Sequence, residues 1–190
     1  MERTRKITAI LILAMAFCFV LVSLAQAGGH KKDPIWTIFQ DGTDKPVKWE
    51  KHKPNPRFAI YDPGTPENES DDLVLDKETG LIWTRDANLD GTKNWRGAID
   101  YCANLSLGGR KGWRLPTREE LASLLDMSQP GGNLPSGHPF NNVQSYFYWS
   151  STEFEVANPD LAWALEMSDF TVYTDGKLSP DYVWPVRGGN

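Results

Sequence analysis

The chain has 190 residues, a net charge of −5, 40 % hydrophobic residues and two cysteines. That balance excludes a nucleic-acid binder working by excess positive charge, and two cysteines exclude a disulfide-stapled scaffold. The length suffices for one domain with its own hydrophobic core.

Residues 1–27 read as a signal peptide. "MERTRK" is a basic start, "ITAILILAMAFCFVLVSL" is an apolar run, and "AQA" at 25–27 is a small-x-small cleavage pattern. The expected product is secreted or periplasmic, with no stable membrane insertion after cleavage. The alternative is an uncleaved N-terminal anchor, because the apolar run approaches the length of a membrane span. Phe17 before Cys18 argues against lipoprotein processing, which favours a small residue there. Removal leaves 17 basic and 24 acidic residues, a net charge of −7, and Cys102 as the one cysteine. Cys102 is expected to be a small buried apolar residue.

Residues 28–70 read as a Pro-rich extended lead-in to a main domain at 71–190. Pro54, Pro56, Pro63 and Pro66 interrupt any long element. Its aromatics Trp36, Phe39, Trp49 and Phe58 are expected to lie against the main domain.

Regular punctuation begins at Asp71. "DLVLDKETGLIWTRD" predicts a β-hairpin in which Leu73 and Leu75 alternate with other positions and Gly80 closes the turn. "NWRGAIDYCANL" places Trp95, Ala98, Ile99, Cys102 and Leu105 on one helical face. Gly108 and Gly109 stop that helix. Thr117 then caps a second helix, and Glu120 completes a capping box. Leu121, Leu124 and Leu125 follow at helical spacing. Arg114 has Glu119, Glu120 and Asp126 within reach, so a salt bridge between strand and helix is its expected role. "MSQPGGNLPSGHPFNNVQS" is a long loop, and "YFYWSST", "LAWALEM", "FTVYTDG" and "DYVWPVRG" predict terminal strands. The order of elements implies an α+β domain.

Placed in this order, "TGLIWTRD", "NWRGAIDYCANLSLGGRKGWRLPTREELASLLD", "LPSGHPFNNVQS", "YWSST", "AWAL" and "YVWPVRGG" resemble the Lcl C-terminal domain family. This bacterial domain of unknown function is named for the tail domain of a collagen-like adhesin. The resemblance implies a C-type-lectin-like α+β fold: two helices flanking a small twisted antiparallel sheet, with long loops. It implies structural rather than chemical work for the motif residues Trp83, Trp113, Arg114, Pro116, Thr117, Glu120 and Arg187. Many members carry a cysteine before the final "VRGG" that would pair with the one matching Cys102. Pro185 stands there in this chain, so packing around Trp184 is expected to replace the covalent tie.

Candidate chemistry is sparse. "DANLDG" begins like a calcium loop, with Asp86, Asn88 and Asp90 at alternate positions, and calcium is the one cofactor suggested. The twelfth position, which should hold a bidentate Glu, is Gly97, and ordinary turns use the same residues. The Glu-Pro-Asn and Trp-Asn-Asp triplets of calcium-dependent sugar binding are missing. His138, Asn141, Tyr146, Trp149, Trp163 and Tyr173, on or beside the long loop and the terminal strands, are the candidate ligand-binding residues. Strand tryptophans more often fill cores. Lys93, Arg96, Arg110, Lys111, Arg114 and Arg118 form a basic run, opposed by 19 acidic against 10 basic residues from position 67 onward. No nucleophile has a credible set of partners: His138 is the only histidine after the lead-in, and Ser150-Ser151 lack the elbow motif. The expected function is therefore a non-catalytic recognition module that binds a glycan, or an envelope or host protein, through its loops. Alternatives are a structural component of the cell envelope and, third, an enzyme of undetected type.

Overall fold

The computed structural model describes residues 49–63, 69–128, 134–154 and 158–188. The signal segment, Trp36 and Phe39 lie outside these residues.

The domain is mixed α+β, with two helices and two five-stranded sheets where the sequence predicts a single small one. The first sheet has the order β1-β2-β3-β4-β10, from Glu50–Lys51, Phe58–Tyr61, Leu73–Asp76, Ile82–Thr84 and Val186–Arg187, all antiparallel. The second has the order β5-β9-β6-β7-β8, from Thr92–Lys93, Asp181–Tyr182, Phe147–Glu153, Leu161–Glu166 and Thr171–Gly176. It is antiparallel except for a single parallel pairing of Tyr148 with Tyr182. The extra sheet members have a plain origin. Two-residue strands carry no hydrophobic period, so β1, β5, β9 and β10 cannot announce themselves. The lead-in supplies β1 and β2, and β2 pairs with β3 over all four of its residues.

The predicted hairpin forms as β3 and β4 and lies in the middle of the first sheet. Both strands are buried along their full length. Leu73, Leu75 and Ile82 face a cluster with Trp49 and Trp113, while Val74 and Trp83 face the main core. Asp76, also buried, is held by Arg57, whose Nε donates to Asp76 Oδ1 at 2.9 Å. A buried carboxylate of this kind is tolerable only because it is paired.

α1 spans Trp95–Asn104, and its N-cap Asn94 accepts from the Gly97 N–H. It buries Trp95, Ala98 and Cys102 against Trp149, Ala162 and Ala164 of the second sheet. Gly108, in the turn that follows, has φ of +57°, and a Cβ there would lie 3.0 Å from Leu73 Cδ1, so backbone shape and crowding both require glycine. α2 spans Arg118–Ser123 and carries the predicted capping box between Thr117 and Glu120.

The two sheets meet at an aromatic joint. Between β9 and β10 the chain leaves one sheet and enters the other, and Trp184 sits in that crossing. Its ring lies 5.7 Å from Trp83, 5.6 Å from Tyr148 and 4.9 Å from Phe140. Its indole N–H donates to the Thr84 carbonyl at 3.0 Å, so the buried ring leaves no polar atom unpaired. Cys102 lies in a separate cluster, with Trp95, Trp149 and Ala162, while Trp184 belongs to the main core. Cys102 is buried and free, and burial pushes its thiol up to about 12.

"WRLPT" makes a second bridge. Arg114 exchanges both backbone hydrogen bonds with Val186 of the first sheet, at 2.9 and 3.0 Å. Two residues on, the Pro116 carbonyl accepts from Ser151 of the second sheet at 2.7 Å. The Arg114 guanidinium forks onto Glu120 at 2.7 and 2.6 Å, which fixes the bridge to α2. Burial pushes the Glu120 carboxyl up, but Arg114 and the Thr117 N–H outweigh it and hold the carboxyl below its ordinary range. Among the described residues no helix is long and apolar enough to cross a membrane.

Two substitutions check this reading by urea unfolding. Leu124→Ala, in the main core, is expected to cost about 2–5 kcal/mol. Thr117→Ala, at the cap, is expected to cost about 1 kcal/mol with an unchanged denaturant slope.

Candidate functional site

The most exposed aromatic side chains lie on the second sheet. Tyr146 is 51 % exposed and Tyr173 is 44 % exposed. They belong to one chain of rings. Tyr182 lies 6.4 Å from Tyr146, Tyr146 lies 5.3 Å from Phe147, and Phe147 lies 6.0 Å from Tyr173, each pair edge to face. Local structure dictates the grouping: Tyr146 enters β6, Phe147 begins it, Tyr173 sits at the middle of β8, and Tyr182 ends β9. Carboxylates border the rings. Glu166 stands opposite Phe147 in the β6–β7 register, and the Tyr173 hydroxyl donates to Asp169 at 3.1 Å. That bond to Asp169, with the carboxylate's charge, raises the Tyr173 hydroxyl above its ordinary value. Rings edged by fixed acceptors offer apolar contact and hydrogen bonding together.

The other nominated residues are scattered. Trp149 is wholly buried, its indole N–H donating to the Lys93 carbonyl at 2.8 Å, so it has no face for a ligand. Trp163 is half-buried, with Phe154 at 5.3 Å and the Arg118 guanidinium 4.7 Å over its ring. His138 stacks on Phe140 and accepts from the Phe140 N–H at 3.2 Å. Burial, and then the neighbouring His52, lowers its proton affinity. Asn141 pairs with the 85–87 segment through its backbone and donates from its side chain to Glu69 at 2.9 Å. The described part of the long loop, 134–145, is thus wall rather than lid: Phe140 is in the core, touching Phe58 and Trp184.

The sequence profile of the Lcl C-terminal domain family matches residues 72–187. The chain belongs to the Lcl C-terminal domain family. No curated protein matches the chain in sequence.

In this Lcl C-terminal domain the "DANLDG" oxygens serve the turn. Asp86 is buried, accepting from the Asn88 N–H at 2.8 Å and from Asn142 Nδ2 at 2.8 Å. Asp90 points to Lys93 at 2.6 Å. The Asn88 side-chain oxygen is buried without a hydrogen-bond partner. Among the described residues no three His, Cys, Asp or Glu side chains converge as a metal site would require. Most of the basic run is occupied: Lys93 pairs with Asp90, Arg96 with Asp100, Arg114 with Glu120 and Arg118 with Glu119, Arg110 is buried, and Lys111 is exposed.

Two shallow grooves flank the domain. One, of about 440 Å³, runs beside β1 and is lined by Lys51, Lys53 and Arg85, of which Arg85 is held by Asp72 at 2.6 Å and by Glu69 at 3.3 Å. The other, of about 480 Å³, lies along α1 beside Tyr101, with the Lys93 ammonium 4.9 Å over the ring.

One pair of carboxyl groups escaped the sequence reading. Asp181 is only 1 % exposed, and no donor reaches its Oδ2. Burial pushes its carboxyl up to about 7, and the nearby negative charges of Asp175 and Glu166 add to the effect. Asp175 in turn holds the β8–β9 turn, accepting from the Gly176 N–H and from Ser179 Oγ. Nothing in "TDGKLSPDY" distinguishes this from ordinary turn chemistry, since the acidic pair arises only when β9 is laid beside β5 and β6.

The sign of the pH effect follows. A folded carboxyl that titrates near 7 keeps its proton where the unfolded one, near 3.8, has lost it. Its stabilising contribution is full below about pH 4, declines as pH rises to about 7, and is absent above. Asp181→Asn should therefore raise the melting temperature relative to the native chain at pH 8. The advantage should shrink steadily as the pH is lowered from 7 to 4, read by thermal melts of both proteins.

Proposed function

We propose that the protein is an exported, non-catalytic recognition module with a C-type-lectin-like fold that binds a saccharide on the ring surface of its second sheet. The observation that carries the reading is the chain of rings Tyr182–Tyr146–Phe147–Tyr173, in which Tyr146 and Tyr173 are exposed and Phe147 and Tyr182 are half-buried against the core, edged by Asp169 and Glu166. Flat sugar faces stack on such rings, and carboxylates accept from sugar hydroxyls. Phe147, Tyr173 and Tyr182 are held by strands and Tyr146 by the bend that leads into β6, which lowers the ordering cost of binding. Two small sheets, two helices and long connections support the lectin-like comparison. The basic start and apolar run of residues 1–27 support export.

Ligand chemistry is narrowed by charge. Lys93, Arg96, Arg114 and Arg118 are paired, and the ring surface is bordered by acids, so a neutral saccharide suits it better than a sulfated one. Calcium has no role in this reading.

A glycan array read with the native protein and with Tyr146→Ala and Tyr173→Ala tests it. Binding to neutral glycans is expected, unaffected by chelator, with each substitution weakening it roughly tenfold, as for the loss of one stacked aromatic contact. Absence of binding across the array, or binding that both variants retain in full, would defeat the reading.

A further inference from the structure

β8 is the outer strand of its sheet. Hydrogen-bond parity says which of its backbone groups are committed. The Met167 N–H donates to the Tyr146 carbonyl at 3.1 Å, and the Phe154 N–H donates to the Leu161 carbonyl at 3.2 Å. The odd-numbered residues of β7 therefore bond toward β6, and Ala162, Ala164 and Glu166 bond toward β8. Their register partners are Asp175, Tyr173 and Thr171. The Lys177 N–H, donating to the Asp160 carbonyl at 2.7 Å, continues the same parity.

Alternation then turns the N–H and C=O groups of Val172, Thr174 and Gly176 outward. Gly176 is occupied, because its N–H donates to Asp175 Oδ1 at 2.6 Å and its carbonyl accepts from Ser179 at 2.7 Å. Val172 and Thr174 are left presenting two donors and two acceptors with no backbone partner among the described residues. Edges of this kind are usually blunted by proline, lysine or a bulge. "TVYTDG" has neither proline nor lysine, and its pairing with β7 is regular over all six residues.

Charge selects among possible occupants. From position 158 to 180 there are four carboxylates, Asp160, Glu166, Asp169 and Asp175, and one cation, Lys177, which is paired with Glu153 at 2.8 Å. Asp169 and Asp175 bracket the free edge. A second copy would set this acidic edge against itself, and like charges across a strand pair are unfavourable. A basic strand meets complementary charge at both ends.

We infer that the outer edge of β8 is a strand-addition site for an extended, lysine- or arginine-bearing segment of a partner protein, seated on the backbone of Val172 and Thr174 and selected by Asp169 and Asp175. The saccharide surface uses the rings and shares Asp169 with this edge, but the strand site is built from the backbone of Val172 and Thr174, so protection of those two amides and glycan binding report on the two sites separately.

Amide hydrogen exchange followed by NMR tests the inference, with a blocked nonapeptide alternating lysine and threonine as probe and its glutamate counterpart as control. The lysine peptide should slow exchange at Val172 and Thr174 roughly tenfold at saturation, through added hydrogen bonding. Exchange at Ala162 and Ala164 should not change. Thr174→Pro removes one outward donor while sparing every bond to β7, and should weaken the peptide's effect. Asp169→Asn, which removes the charge and keeps an acceptor for the Thr171 N–H, should also weaken it, which keeps the test decisive if the proline variant does not fold. The inference is overturned if neither amide is protected, if both peptides protect equally, or if protection appears without peptide as protein concentration rises, the mark of self-pairing.

Discussion

Trp184 is the constraint on which the remainder of the structure depends. The chain must pass from the second sheet to the first within three residues, between β9 and β10. A large ring placed in that crossing can touch both layers. Trp83 comes from the first sheet, Tyr148 from the second, and Phe140 from the long loop. The single polar atom of the indole is used to hold Thr84. Burying a side chain of this size contributes on the order of 3 kcal/mol from area alone. It is also an exacting contact, because close-packed interiors do not absorb a missing ring by relaxing.

The "WRLPT" stretch repeats the logic with backbone and charge. Its main chain joins β10 to β6, and its guanidinium joins that bridge to α2. The cap, the guanidinium and the backbone of this dense motif all join layers. With both joints closed, the second sheet is a fixed platform. Function falls to what that platform leaves uncovered: a row of ring edges on Tyr146, Phe147, Tyr173 and Tyr182, and an open strand edge at β8.

Much of the fold was legible, for identifiable reasons. The β3–β4 hairpin, α1 and the capped α2 each carry several agreeing local signals: period, cap and stop residue. The second sheet's partner was not legible, because β1, β9 and β10 are two residues long and are defined only by what they pair with. Leu73 and Leu75 suggested a one-sided strand, whereas Val74 is buried just as deeply in a different cluster. The candidate site was half legible. Tyr146 and Tyr173 could be nominated from their position beside turns, but Trp149, nominated on the same grounds, is core. Residue type does not distinguish these cases, and neither does strand parity, since Trp149 and Tyr173 are both register partners of Ala164 on one face; the helix α1, packed over Trp149, does. Asp181 and Asp175 look like turn residues in sequence and become a carboxyl pair only through β9.

The central claim is that the aromatic joint makes two sheets into one cooperative body. Native-state hydrogen exchange of Trp184→Phe, compared with the native chain, tests it most directly. The account predicts that the slowest amides of β3 and of β7 lose protection together and by the same free energy, because both open only by global unfolding. Loss confined to one sheet, with the other keeping its full protection, would contradict it.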